Sequence, residues 1–159
     1  MIISITNSQK KHKLDVRRFR KNFNIVLREL GCGRNSEVSI LFVGDEQIRE
    51  INKIYLQRDR PTNVISFSMA DGACSQINPH LLGDIIISLD TAFRDGEKEG
   101  LDFMAEVEFL AIHGLLHLLG YEHEDTCPDK ARKMRRREQE LFRLLGHGEL
   151  DNELLLSEE

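Results

Sequence analysis

The stretch from Asp102 to Leu119, DFMAEVEFLAIHGLLHLL, restricts the fold more than any other part of the chain. Phe103, Val107, Leu110, Gly114 and Leu118 recur along one stripe at helical spacing, with further apolar residues beside it. Gly120 follows where a helix end calls for a residue that tolerates the left-handed conformation. This segment is therefore expected to be the central helix. No run approaches the ~18–20 apolar residues of a membrane span, and the 159 residues fall short of the roughly 250–300 at which one core gives way to several.

Around that helix the pattern mixes strands and helices without strict alternation. Residues 2–6 (IISIT), 37–43 (EVSILFV), 63–68 (NVISFS) and 84–89 (DIIISL) read as strands, the last apolar enough to be buried on both faces. Asp15 stands at an N-cap position before Val16, Phe19, Phe23, Val26, Leu27 and Leu30, and Gly31 closes that helix. Residues 45–56 (DEQIREINKIYL), 91–99 and 128–145 complete the helices, with Pro128 suited to a first turn. The stretch 70–82 reads as a loop. The expected fold is a single α+β domain over residues 1–147, with about four strands in a mixed sheet packed by about five helices, followed by an acidic C-terminal tail at 148–159.

Charge and cysteine usage narrow the setting. The net charge of −5 conceals segregation: residues 1–36 and 128–147 are strongly basic, whereas the middle of the chain and the tail are acidic. The basic runs KKHKLDVRRFRK and KARKMRRR are either a surface for a polyanion or two solvated helix faces. Cys32, Cys74 and Cys127 are odd in number, far apart and outside any CxxC, so they read as reduced thiols. The N-terminus places an apolar stretch before its positive charges, the reverse of a signal peptide. A cytoplasmic protein with no membrane association is expected.

The chemistry concentrates in residues 113–123, HGLLHLLGYEH, which hold three of the six histidines. His113 and His117 stand four apart on the central helix, so their side chains share a face. A chain reversal at Gly120 can bring His123 back beside them. Three imidazoles with an open fourth position suit a catalytic Zn²⁺. The spacing is that of the metzincin signature HExxHxxGxxH, except that Gly114 occupies the place of the protease general base. That gap is expected to leave room for a bulky phosphodiester beside the metal. The remaining histidines, His12, His80 and His147, read as structural or exposed.

Here the sequence resembles the YbeY family of bacterial metal-dependent endoribonucleases that act in ribosomal RNA maturation. The resemblance rests on HGLLHLLGYEH, supported by INKIYLQRDRPTNVISFS at 51–68 and LLGDIIIS at 81–88. It implies that His113, His117 and His123 are the ligands of one Zn²⁺. It implies a mixed sheet and helices around the metal cleft. It further implies single-stranded RNA, ribosomal RNA and ribosome-associated proteins as partners, with small-subunit rRNA 3′ end processing and ribosome quality control as the role. The family typically carries an Arg after the Tyr of the middle motif, where this chain has Leu56. Arg58, the expected catalytic residue, and Arg60 stand nearby, and either can present a guanidinium to a phosphate. Asp59, Thr62 and Asn63 are expected to fix this loop through local side-chain to backbone bonds. Asp84 is either a carboxylate that orients a ligand histidine or a turn residue at a strand edge. Tyr121 either lines the cleft or packs. Glu124 and Asp125 adjoin His123, but the sequence names no general base. Two other readings stand beside the nuclease: a zinc peptidase or amidase, and a zinc-containing assembly factor that binds RNA without cleaving it.

Overall fold

The computed structural model describes residues 1–69, 80–121 and 128–148. The β-branched runs form four strands, β1 (Ile2–Asn7), β2 (Glu37–Val43), β3 (Val64–Ser68) and β4 (Leu81–Ser88). The described helices are α1 (Val16–Glu29), α2 (Asp45–Leu56), α3 (Leu89–Glu99), α4 (Phe103–Leu118) and α5 (Pro128–Leu144). The sheet order is β1-β2-β4-β3. β1, β2 and β4 run parallel, and β3 pairs antiparallel with β4. This is the α+β architecture with a mixed sheet that the sequence pattern suggests. Among the described residues no helix is long and apolar enough to cross a membrane.

Two expected boundaries move. β4 begins at Leu81 rather than at residue 84, because Leu81 pairs with Glu37 and Gly83 pairs with both Val38 and Ser68. The neighbouring strands supply a ladder that the local Gly and Pro signals conceal. α3 begins at Leu89, with Ser88 as its N-cap accepting from the Thr91 backbone N–H at 3.3 Å.

Period-two alternation divides the sheet into two faces. Ile3, Val38, Ile40, Phe42, Ile85 and Ile87 belong to the main core with α1, α4 and α5. Val43, Ile65 and Ile86 join Ile48 of α2 in a smaller core. α1 enters the main core through Phe19, Phe23, Val26 and Leu27, and Asp15 caps it by accepting from the Arg18 N–H at 3.1 Å.

At the C-terminal ends of β2 and β4 the chain passes straight into α2 and α3, whose first turns interlock. Asp45 accepts from Ser88 Oγ at 2.7 Å, Thr91 Oγ1 at 2.6 Å and Arg94 at 2.7 Å. Burial alone would push its carboxyl up, but those three partners outweigh burial and hold it below the usual carboxylate range. Asp90 accepts from the Asp45 backbone N–H at 2.9 Å and from His12 Nε2 at 2.8 Å. The Asp45 N–H is the main cause of its lowered carboxyl, working against burial and with help from His12. Each aspartate therefore sits at the N-terminus of one helix and bonds the first turn of the other.

α4 crosses the main face of the sheet with every residue from Met104 to Leu116 buried. At Gly114 the helix rests directly on β4: a Cβ there would lie 2.8 Å from Ile85 Cγ2 and 3.4 Å from Val64 Cγ2. The expectation that Gly114 opens space for a phosphodiester is thus overturned. The missing side chain is the space through which the helix approaches the sheet.

Two outcomes follow from this packing. Gly114→Ala should lower the unfolding free energy in urea by about 1–3 kcal/mol through overpacking, despite the better helix propensity of alanine; a variant as stable as wild type would mean the contact relaxes freely. Because both junction carboxyls are lowered on folding, their contribution is present above about pH 4 and disappears as pH falls through their folded values. Asp90→Asn should therefore be less stable than wild type in urea unfolding at neutral pH, with the difference shrinking towards pH 3.

Candidate metal centre

Helical spacing sets His113 and His117 on adjacent turns of α4, and the structure brings their rings together. The two Nε2 atoms lie 3.1 Å apart and the rings meet edge to face, with centroids 4.6 Å apart. His113 is buried and His117 half-buried. Each Nδ1 faces an oxygen: His113 Nδ1 donates to Glu138 Oε1 at 2.8 Å, and His117 Nδ1 donates to the Tyr121 carbonyl at 3.0 Å. A proton on Nδ1 leaves the lone pair of a neutral imidazole on Nε2. Both lone pairs then converge on one point.

That donor set fits a borderline-soft cation. Two imidazole nitrogens each ~2.0–2.1 Å from one tetrahedral ion stand roughly 3.3 Å apart, close to the observed separation. Among the described residues, no group of three or more His, Cys, Asp or Glu side chains is gathered for a metal. His123, the expected third ligand, lies outside the described residues, as do Glu124 and Asp125.

The second acceptor is a product of the helix end. Gly120 adopts φ +95°, its N–H bonds the His117 carbonyl at 3.0 Å, and the Tyr121 N–H bonds the Leu116 carbonyl at 2.9 Å. This is the Schellman pairing that closes a helix on a left-handed glycine. It turns the Tyr121 carbonyl back onto His117. Tyr121, half-buried, also packs against the main core.

The first acceptor was not foreseen. Asp84 does not hold the Nδ1 of His113 or His117: it is exposed on β4, paired with Ser39 and Phe67. The oxygen on His113 comes instead from Glu138, fully buried on α5. A signal existed in the sequence. Glu138 stands in the buried stripe of α5 with Ala131, Met134, Leu141 and Phe142, where an apolar residue would be ordinary.

Arg58 and Arg60 are exposed on the connection from α2 to β3. Gln57 takes a left-handed conformation at the end of α2, and the Arg58 N–H reaches the Asn52 carbonyl at 3.2 Å. Buried Asn52 then donates through Nδ2 to the Arg60 carbonyl at 2.9 Å. Asp59 takes part through the Arg49 side chain, Nε to Oδ1 at 2.7 Å, rather than through the backbone as expected. The loop leads into β3, whose Val64 borders Gly114.

The other histidines take structural positions. His12 lies between Phe93 and Phe103, with ring centroids 5.1 and 5.7 Å away, while bonded to Asp90. His147 reaches buried Glu108 at 3.2 Å. Burial pushes the Glu108 carboxyl up, against hydrogen bonds from Asn22 and His147. His80 is exposed just before β4.

The family model described as Endoribonuclease YbeY matches residues 4–146 of this sequence. The chain belongs to the YbeY family. A Syntrophus aciditrophicus protein named Endoribonuclease YbeY is 53% identical over 148 residues, covering 93% of this chain and 91% of its own. One of the same name from Geobacter sulfurreducens is 47% identical over 150 residues, covering 94% and 99%. A Thermotoga maritima protein solved in solution superposes with a TM-score of 0.60 at 22% identity, covering 90% of this chain and 91% of its own. That likeness shows the fold.

The helix end generates a test of its own. Gly120→Ala forces an L side chain into the left-handed region and should lower the unfolding free energy by about 1–2 kcal/mol. Urea denaturation measures the loss, and wild-type stability would mean that the Schellman turn does not hold this end of α4.

Proposed function

We propose that this YbeY-family chain is a zinc-dependent endoribonuclease specific for single strands, acting in ribosomal RNA maturation at the small-subunit 3′ end and in ribosome quality control. The single observation that carries the metal reading is the pair of Nε2 atoms 3.1 Å apart, each ring held by an oxygen on its Nδ1. The nuclease reading is supported by family membership and by the printed names of the relatives. His113 and His117, with His123 from the segment after Gly120, would hold one Zn²⁺. Such an ion, when bound, would polarise a phosphoryl oxygen or lower the pKa of water towards neutrality.

The rest falls to side chains of this chain. Arg58, exposed on the connection from α2 to β3, would offer a guanidinium to the scissile phosphate. The second basic run touches the helix that carries part of the first: Arg137 of α5 donates to the Glu29 carbonyl at the end of α1 at 3.2 Å. Arg17, Lys21 and Arg28 on α1, and Lys133 and Arg136 on α5, are exposed on these two neighbouring helices. A surface of this kind neutralises phosphates with little base preference. Ribosome-associated proteins then supply the choice of RNA, and the enzyme works in the cytoplasm. The tight seat of Gly114 on Ile85 leaves no place there for a protease general base.

The decisive experiment combines metal analysis with cleavage by nuclease-free preparations. Wild type should hold one Zn²⁺ per chain and cut single-stranded RNA, sparing duplex RNA and casein. His117→Ala should lose both metal and cleavage, Arg58→Ala should lose cleavage while retaining metal, and RNA affinity should fall steeply with salt. Zinc-loaded protein that binds RNA without cutting it would favour the assembly-factor reading, and chelator-sensitive proteolysis would favour the peptidase.

A further inference from the structure

We propose that Glu138 is the positioning residue of the metal centre, fixing the His113 ring so that Nε2 faces His117 and thereby making the seating of α5 a condition of metal binding. The inference rests on the metal reading above and adds a residue and a helix to it. Glu138 is 0% exposed, in the middle of a face otherwise built from Ala131, Met134, Leu141 and Phe142. A carboxylate in such a place is costly, and a well-packed apolar residue of similar size is commonly no worse for stability. Its two oxygens are treated unequally. Oε1 accepts from His113 Nδ1 at 2.8 Å, while Oε2 is buried and meets no hydrogen-bond donor among the described residues. Fold stability does not account for an acid with one oxygen left unmatched. Its contact with His113 does.

The two histidines are held differently. The acceptor for His117 is a backbone carbonyl supplied by the end of its own helix, and it forms whenever α4 closes at Gly120. The acceptor for His113 is a side chain on another helix, 25 residues further along. A carboxylate on Nδ1 fixes the tautomer, stops ring rotation and makes the opposite nitrogen a better donor. Only when α5 is seated does His113 present Nε2 in that way. By linkage, whatever occupies the space between the two Nε2 atoms must stabilise the seating of α5 to the same extent.

The test uses the full chain and three variants: Glu138→Gln, Glu138→Leu and the packing control Met134→Ala from the same buried stripe. Two readouts are taken at about pH 8, above the ordinary imidazole range. Long-range ¹H–¹⁵N correlations on metal-free protein report which nitrogen of His113 carries the proton. Competition with a chromophoric chelator gives the Zn²⁺ affinity. Wild type should show a single tautomer protonated on Nδ1. Glu138→Leu should show mixed tautomers and bind Zn²⁺ about 10–100-fold more weakly. Glu138→Gln, which keeps an oxygen acceptor without the charge, should fall between them. Should the leucine variant fail to fold, the glutamine variant carries the comparison. Met134→Ala should lose thermal stability while keeping both the tautomer and the affinity. Wild-type affinity in the Glu138 variants, or an equal loss in Met134→Ala, overturns the proposal alone. Wild type that takes up no Zn²⁺ overturns the metal reading, and this proposal with it.

Discussion

Because Gly114 has no side chain, α4 lies against β4 at a distance set by Ile85, and the rest of the main core is arranged around that contact. A helix lodged this closely cannot slide or rotate without driving its backbone at Gly114 into Ile85 or Leu118 into Gly83. His113 and His117 therefore inherit a fixed height and direction from the packing rather than from any loop. Sites on rigid elements hold their geometry better than sites on connections. The residue that distinguishes the motif from a protease signature thus acts first on packing, and the absence of a base follows from the same contact.

Three elements converge on the histidine pair, each through a different kind of interaction. α4 supplies the rings, its left-handed end supplies a backbone oxygen, and α5 supplies a buried carboxylate. α5 faces both ways: its inner stripe meets His113, and its outer side carries arginines and lysines beside α1. A polyanion held on the outer side would lie against the same helix that bonds His113. At the far end of the parallel strands, Asp45 and Asp90 lock the starts of α2 and α3 with every carboxylate oxygen engaged. That junction is a structural clamp.

The sequence alone determined the elements and the reactive pair. β-Branched apolar runs marked the four strands, the Asp15 cap and Gly31 bounded α1, and HxxxH on an apolar helix with Gly120 after it placed two imidazoles on one face before a reversal. These are local rules, decided by spacings of two to four residues and by which residues tolerate a left-handed backbone. Tertiary structure decided the rest, because it depends on contacts between residues far apart in the chain. The first residues of β4 owe their strand form to β2 and β3, the meaning of Gly114 lies in Ile85 across the helix–sheet gap, and the Arg58 loop is held by Asn52 inside the preceding helix. Glu138 is the clearest case. Spacing shows an acid on an apolar stripe, but only the packing of α5 against α4 gives that acid a histidine to hold.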